Sequence, residues 1–201
     1  MRVVAIDGPV GSGKSTVAKA VADRLHLPYL ESGAMYRVVA LASRRHDLDP
    51  SDEDAHAALA AALDMEVGER ILLDGEDVTA DLRGAEVGRA VSAVAAMAGV
   101  REELVRRQRQ WVADHDGAVV EGRDIGSVVF PDAELKVFLT ASAAERARRR
   151  ALDETADDLA RRDLLDSTRV VSPLIVPDGA VVVDTTARPV EAVVDEIVGL
   201  L

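Results

Sequence analysis

The chain has 201 residues, a formal net charge of −12 and no cysteine. This length suits one α/β domain with insertions and a sizeable core, and the lack of cysteine excludes disulfides and cysteine-based metal sites. No apolar run is long enough to span a bilayer, and the first apolar stretch is interrupted at Asp7, which argues against a signal peptide. We therefore expect a soluble cytoplasmic protein, and the acidic charge argues against a nucleic-acid partner.

The first predicted elements are a strand, a glycine-rich loop and a helix. Apolar residues predict a buried strand over Arg2–Asp7, and helical spacing of apolar residues predicts a helix over Lys14–Leu25. The loop between them reads Gly-x-x-x-x-Gly-Lys-Ser, the pattern of a phosphate-binding P-loop. A chance glycine-rich turn is the alternative, but the order of strand, loop and helix favours phosphate binding.

The P-loop predicts that the phosphoryl donor is a nucleoside triphosphate with Mg²⁺. Its glycines let consecutive backbone N–H groups turn inward, and the helix N-terminus adds positive partial charge. Lys14 can reach the outer phosphates, and the Ser15 hydroxyl can hold Mg²⁺. The residues predicted to bind the triphosphate here are Gly8, Pro9, Val10, Gly11, Ser12, Gly13, Lys14, Ser15 and Thr16.

The next part of the chain is predicted to be mainly helical, with a small sheet in its middle. Helical periodicity predicts helices over about 32–46, 85–97 and 100–115, after a short strand at 28–30. A capping pattern at 51–54 predicts the start of another helix, which runs to about residue 63. Alternating residues at Met65–Val67 and Ile71–Leu73, separated by turn signals, predict a small antiparallel sheet.

Strands and helices alternate again towards the C-terminus. Strands are predicted at 118–120, 135–139 and 180–183, with helices beginning at 142 and covering Val190–Val198. This alternation predicts an α/β fold with a parallel sheet. Ligands of such sheets bind beyond the carboxyl ends of the strands, where Arg123 and Asp124 follow an apolar run. We expect this pair to face the γ-phosphate of the donor; a surface salt bridge in a turn is the alternative.

Two arginine-rich segments also suit an anionic ligand. Arg162, Asp166 and Arg169 are spaced by four and three residues, which predicts a shared helix face. The run 145–150 contains four arginines, which could close over triphosphate oxygens, and we assign Arg149 to ATP. An intrahelical ion-pair ladder and a solvated helix surface are the respective alternatives. Phosphoryl transfer uses such side chains because it depends on positioning and charge neutralisation.

Several motifs resemble those of the bacterial cytidylate kinases, the CMP/dCMP kinases of the nucleoside monophosphate kinase group. The most specific are Ser-Gly-Ala-Met-Tyr-Arg at 32–37 and Gly-Arg-Asp-Ile-Gly at 122–126, and the likeness extends over nearly the whole chain. The resemblance implies a five-stranded parallel P-loop NTPase sheet flanked by helices, an inserted monophosphate-binding domain with a small antiparallel sheet, and a short lid. It implies a core of 1–31, 116–148 and 167–201, an insertion of about 32–115 and a lid of about 149–166.

The resemblance also implies roles for individual residues. It assigns the CMP phosphate to Arg37, Arg123 and Arg169, with Ser32 nearby, and the cytosine edge to Ser92, Arg101 and Asp124. It assigns the sugar and closure of the site to Arg162 and Asp166. Lys14, Arg123 and Arg169 are the expected catalytic residues, and Ser15 is the expected Mg²⁺ ligand.

Two features depart from the family pattern. Glu121 stands where many relatives have aspartate, and this longer side chain can shift a water-mediated contact with Mg²⁺. The stretch from Arg150 to Arg162 is about ten residues shorter than the usual lid, and such lids exclude water from the reaction.

The expected activity is phosphoryl transfer from ATP to CMP or dCMP by a monomer. A P-loop kinase for another small acceptor, such as UMP or shikimate, is one alternative, although the expected cytosine-reading residues oppose it. A non-catalytic NTP-binding module is the other alternative, and the short lid favours it.

Overall fold

A computed structural model describes residues 1–150 and 155–201 of the chain. These residues form two compact units, one comprising Met1–Glu31 and Trp111–Leu201 and the other Ser32–Gln110. The predicted lid includes residues 151–154, which lie outside the described residues. In the described part of the chain, no helix is both long and apolar enough to cross a membrane.

The described elements follow the predicted alternation of strands and helices. The strands are β1 (Arg2–Asp7), β2 (Tyr29–Glu31), β3 (Met65–Val67), β4 (Ile71–Leu73), β5 (Glu76–Asp77), β6 (Gly117–Gly122), β7 (Leu135–Thr140) and β8 (Val181–Asp184). The helices are α1 (Lys14–Leu25), α2 (Ser32–Arg45), α3 (Glu53–Ala62), α4 (Ala85–Val94), α5 (Ala98–Asp114), α6 (Ala143–Arg150), α7 (Ala156–Thr168) and α8 (Val190–Val198). A 3-10 turn covers Asp81–Arg83, and a π-helical turn covers Ile125–Val129.

The first unit contains a five-stranded parallel sheet, which confirms the predicted fold class. Its strand order is β2-β6-β1-β7-β8, with β1 between β6 and β7. Apolar side chains of β1, β7, α1 and α8, among them Ile6, Val21, Val137 and Ile197, form a buried core. Because all five strands are parallel, the carboxyl ends of β1 and β6 lie at the same sheet edge, where the P-loop and Arg123 begin.

The second unit combines α2, α3, α4 and α5 with a three-stranded antiparallel sheet of order β3-β4-β5. The predicted strands β3 and β4 are confirmed, and Asp52 caps α3 by accepting a bond from the Ala55 N–H. Strand β5 was not predicted, because its two residues, Glu76 and Asp77, are acidic and exposed. Its pairing with β4 follows from the turn at Asp74 and Gly75, both with positive φ.

The prediction that Arg162, Asp166 and Arg169 share a helix face is wrong for Arg169. Helix α7 ends at Thr168, and Arg169 is extended, with φ −61° and ψ 141°. The Thr168 hydroxyl donates to the Leu164 carbonyl (2.7 Å), a local bond that competes with continuation of the helix. Arg162 and Asp166 do lie one turn apart on α7.

Candidate active site

The P-loop connects β1 to α1 through three glycines with positive φ. Gly13 adopts the left-handed conformation (φ 89°) as the residue that precedes α1, and Gly11 has φ 75°. At Gly8 a side chain is excluded, because its Cβ would lie 2.1 Å from the Leu139 carbonyl oxygen of β7. The three glycines therefore allow the tight turn of a P-loop, in which backbone N–H groups can approach a phosphate.

Lys14 is buried beside this loop, with 6 % of its surface exposed. Its Nζ donates to the Pro9 carbonyl at 2.8 Å. Burial, and then the charge of Arg123, lower the pKa of Lys14 from 10.5 to about 7. The positive charge of Arg123, a residue predicted to bind the acceptor, thus acts on the lysine predicted to bind the donor phosphates.

Ser15 and Glu121 form the oxygen pair that fits a magnesium ion. Ser15 Oγ donates to Glu121 Oε1 at 2.6 Å, and the Tyr29 hydroxyl donates to the same oxygen at 3.0 Å. Mg²⁺ prefers oxygen ligands and is usually bound by one or two protein groups together with substrate phosphates. The hydroxyl and the carboxylate of this pair suit that chemistry. Burial and the negative charge of Glu121 also raise the pKa of Tyr29, which keeps its hydroxyl protonated as a donor.

Asp7 fixes the backbone that follows Arg123 and Asp124. Its carboxylate accepts from the backbone N–H groups of Ile125 (2.8 Å) and Gly126 (2.7 Å), at the start of the π-helical turn. Burial raises the pKa of Asp7 to about 6, although these two bonds oppose the change. Asp7 thus joins the end of β1 to the turn after β6.

Two pairs of opposite charge lie at this turn. Arg123 Nε donates to Asp166 Oδ2 of α7 at 2.8 Å. Arg169 Nη2 lies 3.7 Å from Asp124 Oδ1, and both of these side chains are 6 % exposed. The structure therefore brings together the predicted pair Arg123 and Asp124 and two residues of the predicted cluster around α7, Asp166 and Arg169.

The arginine-rich helix α6 lies against the P-loop. Arg146 Nη1 donates to the Val10 carbonyl (3.1 Å), and Arg149 Nη1 donates to the Gly11 carbonyl (3.3 Å). Arg149 also bonds to Thr185, at the end of β8. The contacts of Arg149 with the loop are thus contacts with backbone carbonyls.

The second unit holds the other residues predicted to bind CMP. Ser32 begins α2, Ser92 lies on α4, and Arg37 Nη1 donates to the Leu82 carbonyl at 3.1 Å. Arg101 on α5 is 3 % exposed and donates to the Ala95 carbonyl at 3.0 Å. Its guanidinium also lies over the Tyr36 ring, 5.3 Å from the centroid.

Sequence reasoning missed three residues that organise this site: Asp7 as an anchor, Tyr29 and Thr185. Asp7 and Thr185 were visible as polar residues at strand ends, which is the signal that could have drawn attention to them. Tyr29 carried no such signal, because an aromatic residue in a strand is ordinary.

Comparison with protein families decides between the possible acceptors. The model of the family described as cytidylate kinase matches residues 4–201. The chain belongs to the cytidylate kinase family. The family resemblance inferred from the motifs at 32–37 and 122–126 is thereby confirmed.

Individual relatives agree with this membership. The cytidylate kinase of Mycobacterium avium is 49 % identical, over 97 % of this chain and 92 % of the relative. The cytidylate kinase of Rhodococcus jostii is 46 % identical, over 99 % of this chain and 92 % of the relative. Among solved structures, TT1252 from Thermus thermophilus matches with a TM-score of 0.53 at 18 % identity, covering 100 % of this chain and 97 % of that one. This last likeness supports the fold alone.

Proposed function

We propose that this protein transfers the γ-phosphoryl group of ATP to CMP or dCMP, giving ADP and CDP or dCDP. Membership of the cytidylate kinase family supports the reaction. The observation that carries it is the bond from Ser15 Oγ to Glu121 Oε1 (2.6 Å), which joins the start of α1 to the end of β6, two residues before Arg123. The residues assigned to the donor phosphates and those assigned to the acceptor phosphate thus lie at the same sheet edge, as an in-line transfer requires.

On the donor side, the P-loop N–H groups and Lys14 bind the triphosphate. Lys14 exchanges its bond with the Pro9 carbonyl for one with a phosphate oxygen, and it neutralises charge as the γ-phosphoryl group moves. Ser15 and Glu121 are the residues that would hold Mg²⁺. When bound, that ion supplies further neutralisation of the phosphate charge.

On the acceptor side, Arg123 and Arg169 bind the CMP phosphate. Its oxygen is already ionised, so no general base is required, and fixed guanidinium groups only have to orient it. We assign Arg37 and Ser32 to the same phosphate, and Arg162 with Asp166 to the sugar.

Ser92, Arg101 and Asp124 are assigned to the cytosine edge, because a carboxylate can accept from its amino group and an arginine can donate to its ring nitrogen and carbonyl.

We also assign the insertion of about 32–115 to the acceptor and the segment of about 149–166 to a short lid. The protein is proposed to act as a cytoplasmic monomer, and its net charge of −12 argues against a nucleic-acid partner. Analytical ultracentrifugation at micromolar protein concentration tests this state and should give the mass of a single chain.

A coupled assay of ADP release with a panel of acceptors tests the proposed reaction. CMP and dCMP should give turnover that depends on Mg²⁺, whereas UMP and shikimate should give much less. Equal rates with UMP would contradict the assignment of the cytosine-reading residues. Binding of ATP without turnover of any acceptor would instead support a non-catalytic module.

A further inference from the structure

Three carbonyl groups of the P-loop accept hydrogen bonds from side chains in distant parts of the chain, and two of them, those of Gly11 and Ser12, directly precede Gly13. The Gly11 carbonyl accepts from Arg149 Nη1 of α6 at 3.3 Å. The Ser12 carbonyl accepts from the hydroxyl of Thr185, which follows β8, at 2.9 Å. Thr185 is 3 % exposed, so this bond is shielded from water. Neither donor belongs to the P-loop motif.

Arg149 and Thr185 are also bonded to each other. Arg149 Nη1 donates to Thr185 Oγ1 at 2.9 Å, and Nη2 donates to the Thr185 carbonyl at 2.8 Å. The Nε of Arg149 donates to Glu145 Oε1 at 2.8 Å. With the bond to Gly11, four of the five N–H groups of a guanidinium are thus directed at protein atoms. These partners fix the plane of Arg149 without a ligand.

This arrangement determines where the Thr185 hydroxyl points. A hydroxyl has one hydrogen and accepts through its lone pairs. Because Arg149 occupies the acceptor side, the hydrogen is left for a carbonyl group. The Thr140 carbonyl, at 3.1 Å, already accepts from the Thr185 backbone N–H (2.9 Å), so the shorter contact of 2.9 Å, to the Ser12 carbonyl, is the favoured bond. Arg149 therefore prepares Thr185 to hold the loop.

Holding the Ser12 carbonyl also fixes the next N–H group. A trans peptide is planar, so its C=O and N–H point in opposite directions. The peptide that contains the Ser12 carbonyl carries the N–H of Gly13, which has φ 89°. A glycine in this region rotates easily, and a bond from outside the loop is needed to keep one orientation.

We propose that Thr185 and Arg149 are positioning residues for the donor triphosphate. By holding the Ser12 and Gly11 carbonyls, they keep the Gly13 N–H in the direction that the phosphates require. The inference rests on the proposed use of ATP. It gives Arg149 a different role from the one expected from the sequence, since Arg149 acts through the loop and not as a ligand of ATP.

Substitutions at Thr185 test this role. Thr185→Val keeps the shape of the side chain and removes the hydroxyl, which leaves buried partners unsatisfied. Isothermal titration with ATP should show an affinity about tenfold weaker, while the KM for CMP changes by less than about twofold. Thr185→Ser restores the hydroxyl and should recover most of the ATP affinity.

The adjacent threonine provides a matched control. The Thr186 hydroxyl donates to Asp184 (2.6 Å) and accepts from the Ser142 N–H (2.9 Å), so it bonds outside the P-loop. Thr186→Val should therefore leave the ATP affinity unchanged. A purely structural effect of removing a hydroxyl from this turn would weaken both variants alike.

A double-mutant cycle separates positioning from direct contact by Arg149. Lysine cannot reproduce the planar fork of bonds, so Arg149→Lys should weaken ATP binding about as much as Thr185→Val. The Kd of the double variant for ATP should be at most about twofold higher than that of the single variant that binds ATP less tightly. Both substitutions disrupt the same set of hydrogen bonds, so their effects should not add. Additive losses would show that Arg149 contacts ATP independently, and they would overturn the proposal.

Two further outcomes would also overturn it: unchanged ATP affinity in Thr185→Val, and equal losses for ATP and CMP. If Thr185→Val does not fold, Thr185→Ala and Arg149→Lys are titrated in the same way against Thr186→Val. The titration needs no acceptor. A wild-type protein that binds ATP but leaves CMP unphosphorylated would therefore refute the proposed function and leave this inference open to the same measurements.

Discussion

The P-loop and the turn that carries Arg123 and Asp124 both depend on arginines, but these arginines make different contacts. At the P-loop, Arg146 and Arg149 donate to the carbonyls of Val10 and Gly11, in addition to the carboxylates of Asp163 and Glu145. At the turn, Arg123 pairs with the Asp166 carboxylate, and Arg169 lies beside the Asp124 carboxylate.

This difference affects how each region meets an anionic ligand. Arg146 and Arg149 bond to the backbone of the loop itself, so we expect the loop to keep its shape when ATP binds. Arg123 and Arg169 are assigned to a phosphate, and an incoming phosphate competes with the Asp166 carboxylate for the N–H groups of Arg123. We therefore expect a preorganised donor site and an acceptor site that exchanges its ion pairs on binding.

The largest expected effect comes from removing the cation on the donor side. Lys14→Ala should lower kcat by about two orders of magnitude or more, because the charge that develops on the phosphates loses its buried partner. Folding should be little affected, with a melting temperature no more than about 4 °C lower. The pKa of Lys14 is lower in the folded protein than its usual 10.5, so folding disfavours its charge. Steady-state kinetics and thermal melting measure the two effects.

Arg24→Ala is the matched control, since Arg24 is a cation of the same helix, is exposed and pairs with Asp195 of α8. Its kcat should stay within about twofold of the wild-type value, as is usual for an exposed side chain away from the site. Normal turnover in a folded Lys14→Ala protein would contradict the proposed donor site.

The next largest effect is expected from a substitution at the turn that carries Arg123 and Asp124, on the acceptor side. Asp124→Asn removes the carboxylate that we assign to the cytosine amino group and that faces Arg169. We expect kcat/KM for CMP to fall by about 10- to 100-fold, with a smaller loss for UMP, so that the preference for CMP narrows. Asp132→Asn, an exposed change in the same segment, should leave both values unchanged. Equal losses for both acceptors would show that Asp124 does not distinguish the bases.

The P-loop and the helix bounds could be predicted more completely from the sequence than the side-chain bonds that connect distant parts of the site. The P-loop and the bounds of α1 and α8 follow from local motifs and from apolar periodicity, and the structure confirms them. The bonds from Asp7 to Ile125 and from Arg149 to Thr185 join residues that are 118 and 36 positions apart. Such contacts leave no periodic pattern, so they appear only once the strands are in register.

Arg169 shows that the end of a helix is also difficult to predict from residue spacing. The spacing from Arg162 to Arg169 is helical, yet α7 ends one residue before Arg169. The hydroxyls of Ser167 and Thr168 bond to the Leu164 carbonyl, and the Leu174 N–H returns to the Asp166 carbonyl. Whether such side-chain bonds end a helix depends on the rotamers of these residues and on the path of the chain that follows. The spacing of residues in the sequence specifies neither of these.

The pH dependence of ATP binding tests the charge of Lys14 without removing its side chain. The pKa of Lys14 is about 7 without ligand, and bound phosphates favour its charged form, so ATP binding takes up a proton above pH 7. The Kd for ATP should therefore rise by up to about tenfold per pH unit from pH 7.5 to 9. Lys14→Arg, which stays charged, should bind more weakly but with a flat profile over this range. Parallel profiles in the two proteins would contradict titration of Lys14.

The smallest expected effect tests how the donor base is held. The P-loop reads only phosphates, and the segment that we assign to a lid has a short stretch from Arg150 to Arg162 in the sequence, with few residues to select adenine or exclude water. We therefore expect kcat/KM for GTP within about tenfold of that for ATP at saturating CMP, and slow ADP release when CMP is absent. A donor panel and an acceptor-free assay of ADP measure both. Strict selectivity for ATP together with undetectable hydrolysis would show that other segments complete the closure. In that case the preorganised donor site would extend beyond the P-loop and its carbonyl-bound arginines.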